Sequence, residues 1–223
     1  AGIMLFTVSG SVQSSRQLTN IAILPDGRIS FVGYEIASAV ITPYMARAYN
    51  NPYEVSVAEC PNSLPIGNQD ITWGLNNPQS LSFFGYPGSS TAQNQIARAI
   101  ALENYDRVVV AVNGENPSTA GVNQVFLDRF IIDGLLDTTF NTTGQVQLPN
   151  SYNNQYAQDV ATFTTVQGVN KAILAGYVMS GAPLNITTSW LMQYNLDLVE
   201  VDASFGGIDH DAQGVASGDI QQF

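Results

Sequence analysis

The sequence has few basic residues, one cysteine, one histidine and no long apolar run. Seven of its 223 residues are Lys or Arg and 18 are Asp or Glu, which gives a formal net charge of −11. Because binding to nucleic acid depends on basic patches that neutralise phosphates, we expect no nucleic-acid partner. No apolar run approaches the ~18 residues of a membrane-spanning helix, so we also expect no transmembrane segment.

The scarcity of Cys and His limits the catalytic chemistry open to the chain. Cys60 has no second cysteine with which to form an internal disulfide. A Ser-His-Asp triad would need His210, and no Gly-x-Ser-x-Gly turn precedes it. The run Asp209-His210-Asp211 is a weak metal-site candidate, since neighbouring side chains of an extended chain point to opposite faces. We therefore predict that the protein is not an enzyme and holds no metal and no cofactor.

One catalytic alternative stays open, because a glycoside hydrolase needs only two carboxylates that meet in space. Candidate acids at expected turns or strand ends are Asp106, Glu115, Asp128 and Asp133. Aromatic residues that could stack on sugar rings are Trp73, Tyr86, Tyr152, Tyr156 and Trp190. Solvated turns explain the acids better, and core packing explains the aromatics better, so hydrolysis is the least favoured function.

The chain is nevertheless 45% hydrophobic and 10% aromatic, and its apolar residues form short, β-rich runs. Examples are residues 21–24, 108–112 and 172–175, with turn residues such as Pro25-Asp26-Gly27 between the runs. The helical period of 3.6 residues is nowhere sustained. Short strands at intervals of roughly ten residues predict an all-β, antiparallel fold.

A repeated turn motif, Asp-x-Thr/Ser-aromatic, divides the chain. It begins at Asp70, Asp137 and Asp202 and ends on Trp73, Phe140 and Phe205, with spacings of 67 and 65 residues. An Asp at a turn accepts a hydrogen bond from a backbone N–H two residues later, and the ring can then pack between adjacent sheets. We interpret these six residues as structural turn anchors.

The anchors imply three repeat units of three or four strands, at residues 9–80, 81–148 and 149–210. Partial units at residues 1–8 and 211–223 indicate that the chain begins and ends inside the repeat. The first unit is longer, because an insertion at about residues 51–69 carries three prolines and Cys60. A loop of this length is typical of a functional or disordered segment.

These units resemble the delta-60 repeat family of large bacterial, often secreted, proteins. The similarity is greatest in the second unit, from Ala97-Arg98-Ala99-Ile100-Ala101 through Leu127-Asp128-Arg129-Phe130 to Asp137-Thr138-Thr139-Phe140. The third unit has Gln193 where the second has Arg129. The resemblance implies blade-like sheets, either β-propeller-like or sandwich-like, and it supplies no catalytic motif.

Repeated sheets must cover one another, and propellers close with about four to eight blades. Three units therefore suggest a fragment, an open stack or copies that complete each other. In the last case the strand containing Ile3, Met4, Leu5, Phe6 and Val8 would pair with a sheet edge near residues 214–223 of another copy. Such head-to-tail pairing gives rings or filaments.

The sequence thus predicts a non-catalytic, extracellular structural or adhesive protein whose partners are copies of itself. The alternative is a glycan- or protein-binding module of the β-propeller type, with residues 51–69 at the recognition face. Low lysine content and an acidic, polar surface favour a secreted or cell-surface location in a bacterium.

Overall fold

A computed structural model of the chain describes residues 14–38, 40–48, 73, 81–83, 94–116, 119–149, 154–179, 187–205 and 215–216. Within these ranges the regular structure is β-strand, and all strand pairs are antiparallel. The predicted all-β, antiparallel fold is confirmed. None of the described residues belongs to a helix long and apolar enough to cross a membrane.

The strands form three antiparallel sheets in chain order, each with neighbouring strands joined as a meander. The first sheet contains β1 (Ser14–Ile23), β2 (Ile29–Ala37), β3 (Val40–Ala48) and β4 (Leu81–Phe83). The second contains β5 (Gln95–Glu103), β6 (Arg107–Asn116), β7 (Thr119–Ile131) and β8 (Gln145–Gln147). The third contains β9 (Asn154–Thr164), β10 (Asn170–Met179), β11 (Thr187–Asn195), β12 (Glu200–Val201) and β13 (Val215–Ala216).

The sheets divide the chain at different points from the sequence repeats. Strand β4 belongs to the first sheet, although it lies at the start of the second repeat unit. Strand β13 pairs with Leu191 and Met192 of the third sheet, although it lies in the last partial unit. It occupies the position that β8 holds beside β7. Each sheet is therefore completed by a short strand that follows the turn anchor.

The second sheet is packed on both faces, which explains its uninterrupted apolar strand. Val108 and Val110 lie in a core shared with the first sheet. Val109 and Ala111 lie in a core shared with the third sheet. Since successive side chains of a strand point to opposite faces, a strand covered on both sides is apolar at every position. The three sheets are stacked in chain order.

The first strand of each sheet carries a β-bulge at a matching position. The bulged residues are Thr19 in β1, Arg98 in β5 and Gln158 in β9. A bulge inserts one unpaired residue and redirects its side chain. The Thr19 hydroxyl lies 2.5 Å from the carbonyl oxygen of Ala97, so the first two bulges are in direct contact. We call β1, β5 and β9 the bulged strands.

Opposite the bulge of β9 lies Gly176, whose backbone passes very close to that strand. A Cβ at Gly176 would lie 2.1 Å from the Tyr156 carbonyl oxygen and 2.5 Å from the Trp190 ring. Gly176→Ala should therefore lower the free energy of unfolding by more than about 2 kcal/mol in urea denaturation.

The matched control is Gly121→Ala. Gly121 has a φ of +78°, but a Cβ there meets nothing within 4 Å. Only backbone strain opposes this change, and we expect a loss of about 1 kcal/mol. Equal losses in the two variants would contradict the close approach at Gly176.

Candidate functional site

The turn anchor of the second sheet is a compact ionic cluster. Asp137 Oδ1 accepts hydrogen bonds from the Thr139 backbone N–H at 3.0 Å and the Thr139 hydroxyl at 2.6 Å. Its Oδ2 lies 2.9 Å from Arg107 Nε and 3.0 Å from Arg129 Nε. Burial alone would raise the pKa of Asp137, but the Thr139 hydrogen bonds and the two guanidinium groups outweigh it and lower that pKa.

The third sheet repeats this cluster with different side chains. Asp202 Oδ1 accepts hydrogen bonds from the Ser204 backbone N–H at 3.0 Å and the Ser204 hydroxyl at 2.6 Å. Its Oδ2 accepts from Lys171 and Gln193, which replace Arg107 and Arg129. The Lys171 ammonium group, with Ser204, holds the pKa of Asp202 well below its usual range. Each carboxylate accepts two hydrogen bonds on Oδ1, while Oδ2 of Asp137 forms ion pairs with two arginines and Oδ2 of Asp202 accepts from a lysine and an amide. These contacts agree with the interpretation of the two residues as turn anchors.

Two of the three anchor aromatics, Trp73 and Phe140, lie in the cores between the sheets. Trp73 donates its Nε1–H to the Ile132 carbonyl oxygen at 2.7 Å, which ties the first unit to the second sheet. Phe140 is fully buried, with the Arg129 guanidinium 4.7 Å from its ring centre. Phe205 is half-buried. The remaining anchor, Asp70, lies outside the described residues.

The carboxylates considered for hydrolysis are placed differently from one another. Asp106 and Asp133 lie in exposed turns, and Glu115 is half-buried near the end of β6. Asp128 is buried inside the second sheet, where it accepts a hydrogen bond from Gln145 Nε2 at 3.0 Å. Burial raises the pKa of Asp128 to about 7. A carboxyl group enclosed in this way cannot reach a polysaccharide substrate.

The aromatic candidates for sugar stacking mostly serve packing. Trp73 and Trp190 are 3% and 4% exposed, inside the two cores. The half-buried Tyr156 ring stacks on Tyr177, with centroids 4.9 Å apart. Tyr86 and Tyr152 lie outside the part of the chain that the structure describes.

Several other predicted site residues also fall outside the described ranges. They are the assembly-strand residues Ile3, Met4, Leu5, Phe6 and Val8, the run Asp209-His210-Asp211, and the insertion with Cys60. Among the described residues, no group of three or more Asp, Glu, His or Cys side chains is arranged to hold a metal ion.

The site that the sequence did not predict is formed by the three bulges. An open cavity of about 330 Å³ lies beside the bulged strands β1, β5 and β9. Its described lining is mostly polar and consists of Gln17, Leu18, Thr19, Asn20, Tyr34, Arg98 and Gln158. The bulged residue of each sheet lines the cavity, so the cavity results from the repeated bulge. We call it the bulge pocket.

Arg98 differs from the other basic residues of the chain, all seven of which the structure describes. The other six are paired: Arg16 with Glu35, Arg28 with Asp26, Arg47 with the Ile132 carbonyl, Arg107 and Arg129 with Asp137, and Lys171 with Asp202. Arg98 has neither a hydrogen bond nor an ion pair with any described residue. In the sequence it appears only as a charged residue between two alanines, with no sign that it borders a cavity.

Comparison with known proteins finds no matching protein-family model and no matching curated protein. The interpretation of the site therefore rests on the residues and geometry of this chain.

The buried carboxyl group of Asp128 makes stability depend on pH. Its pKa is about 7 in the folded protein and 3.8 in an ordinary environment. Between pH ~4 and ~7 the folded state holds a proton that the unfolded state has lost, so this group's contribution to stability falls as pH rises through that window. Asp128→Asn should raise the free energy of unfolding by roughly 2–4 kcal/mol at pH 8 and change it little at pH 4.

Urea denaturation at both pH values measures this difference. Asp133→Asn is the control, since it makes the same side-chain change at an exposed turn position. An Asp128→Asn effect of equal size at pH 4 and pH 8 would refute the buried, protonated state.

Proposed function

We propose that this protein is a non-catalytic, extracellular structural protein that assembles with copies of itself, head to tail, through the outermost faces of its sheet stack. The supporting observation is that both outermost faces expose apolar side chains at positions that are buried wherever two sheets of the chain meet. The acidic, lysine-poor composition and the resemblance to delta-60 repeats support the extracellular location.

We call the face of a sheet that packs on the following sheet its front face, and the face that packs on the preceding sheet its rear face. The front face of the third sheet is the first exposed surface. Leu191 of β11 is 46% exposed and Phe163 of β9 is 40% exposed. Leu127 holds the position of Leu191 in the second sheet, and it is fully buried against the third sheet. Both leucines pair with an alanine on the neighbouring strand, Ala175 for Leu191 and Ala111 for Leu127. The front face of the third sheet is thus built like a covered face.

The rear face of the first sheet is the second surface, and its exposed residues are Leu18, Ile21 and Ile23 of β1. Their exposed fractions are 55%, 52% and 65%. Ile21 follows its bulge by two residues, as do Ile100 in β5 and Val160 in β9. Ile100 and Val160 are 5% exposed, because each packs on the preceding sheet.

The two surfaces correspond to the two sides of the interfaces already present within the chain. A front face binds the following sheet and a rear face binds the preceding one, so the partner that best fits both is a second copy. The contact is heterologous, and it either closes into a ring or continues as a filament. Two chains supply six described sheets, within the range of about four to eight blades at which propellers close.

Strand pairing by residues 3–8 stays a prediction, since those residues lie outside the described part of the chain. Strand β13 lies within the predicted receiving edge and pairs with β11 of its own chain, whereas the two outermost faces are exposed among the described residues. Face-to-face stacking is therefore the contact that the described geometry favours.

A lysine on either outermost face should prevent assembly. Leu191→Lys or Ile21→Lys places a charge in the contact, while the net charge of each chain becomes less negative and general repulsion falls. Sedimentation velocity should show oligomers for the unmodified protein and monomers for each variant. The control is Val166→Lys, which makes the same charge change at a turn residue that is 98% exposed, and it should assemble normally.

A mixture of the two variants tests the head-to-tail geometry. The intact front face of Ile21→Lys can bind the intact rear face of Leu191→Lys, so the mixture should form dimers and nothing larger. Dimers of either variant alone would indicate contacts between identical faces and would refute the head-to-tail arrangement. A monomeric unmodified protein would refute assembly, and would leave the open faces to other segments or partners.

A further inference from the structure

We infer that the bulge pocket binds the carboxylate of an acidic sugar residue, a uronic acid, with Arg98 as the group that recognises the carboxylate. Binding there does not require assembly, because every lining residue belongs to one chain. It adds to the structural role a capacity to hold an acidic polysaccharide.

The backbone at Arg98 is held rigidly. Ala97 and Ala99 are both fully buried, the first in the core shared with the first sheet and the second in the core shared with the third. The bulge leaves Arg98 between them, unpaired in the sheet, and its half-buried side chain lines the pocket. Binding groups positioned by rigid elements lose less entropy when a ligand arrives.

Arg98 has the electrostatic character of an anion-binding residue. No described residue pairs with it, and none of the described residues that line the pocket is acidic. A half-buried guanidinium group without an acidic partner among the described residues is unusual in a chain of net charge −11. Guanidinium groups bind carboxylates through two parallel N–H···O hydrogen bonds, which gives both strength and orientation.

The rest of the lining suits the hydroxyl groups of a sugar. Gln17, Asn20 and Gln158 supply amides, and Thr19 and Tyr34 supply hydroxyl oxygens that can accept, since their protons are donated to the Ala97 carbonyl oxygen and to Gln17. Asn20 Oδ1 accepts the Ile21 backbone N–H at 2.7 Å, which orients its amide group. The Tyr34 hydroxyl donates to Gln17 Oε1 and orients that side chain as well. Leu18 is the one apolar residue among the described lining residues, so the pocket favours a polar ligand.

The size of the pocket indicates one sugar residue rather than several. Its volume of about 330 Å³ lies at the lower end of the range of roughly 300–1,000 Å³ found for small-molecule sites. A uronic acid combines a carboxylate with several hydroxyl groups in one ring, which matches one arginine surrounded by amides and hydroxyls.

Isothermal titration calorimetry on the full chain tests this inference with D-galacturonate and D-glucuronate. D-galactose has the hydroxyl groups without the carboxylate, and acetate has the carboxylate without the ring. At least one uronate should bind, and galactose and acetate should each bind at least about tenfold more weakly.

Two variants of Arg98 separate charge from geometry. Arg98→Gln should weaken uronate binding about tenfold or more, and Arg98→Lys should weaken it less, because it keeps the charge and loses the planar fork. Arg28→Gln makes the same charge change in the exposed turn between β1 and β2, where Arg28 pairs with Asp26, and should bind as the unmodified protein does. Thermal unfolding of each variant verifies that it is folded.

The inference is overturned if neither uronate binds, or if Arg98→Gln binds as tightly as the unmodified protein. Acetate binding as tight as that of the uronates would assign the pocket to small carboxylates in general. If galactose bound as tightly as the uronates, Arg98 would not be the group that recognises the ligand. Because the ligand series is measured on the unmodified protein, the first, third and fourth outcomes do not depend on whether a variant folds.

Discussion

The stacking of the sheets depends on the contacts made by the guanidinium group of Arg129. It lies 3.0 Å from Asp137 of its own turn, 3.5 Å from the buried Glu103 and 4.7 Å from the centre of the Phe140 ring. It also donates to the Leu196 carbonyl oxygen of the third sheet at 3.2 Å. Arg47 makes the corresponding bond from the first sheet to Ile132 of the second. In the third sheet Gln193 takes this position and binds Asp202, so any contact beyond that sheet is formed without the arginine.

The contacts inside the sheet stack differ from those that its outermost faces can make. Within the stack, each interface combines apolar packing with an arginine that satisfies a carbonyl oxygen of the next sheet. At the outermost faces only the apolar part is repeated, by Leu191 on one side and Ile21 on the other. In the assembly that we propose, contacts between copies should therefore be weaker than contacts between sheets of one chain.

The fold was largely predictable, and the candidate site was not. The aspartates at 137 and 202 mark turns because an Asp two residues before a Thr or Ser favours a turn through local hydrogen bonds, and local preferences are visible in a sequence. The place of β13 was not predictable, since Val215-Ala216 resembles the start of a strand and only pairing with β11 shows that it completes a sheet. The pocket at Arg98 was hidden because bulges depend on pairing between strands, and a single chain segment carries no record of its partner.

By itself, the sequence determined the class of the fold, because an all-β, antiparallel structure follows from short apolar runs separated by turn residues. The division into three repeat units stays a prediction. The tertiary structure decided which faces are covered, which strand closes each sheet and which of the seven basic residues has no partner among the described residues. Those properties depend on residues far apart in the chain: Leu127 and Leu191 are the same residue type at the same strand position, and only the presence or absence of a following sheet makes one of them core and the other surface.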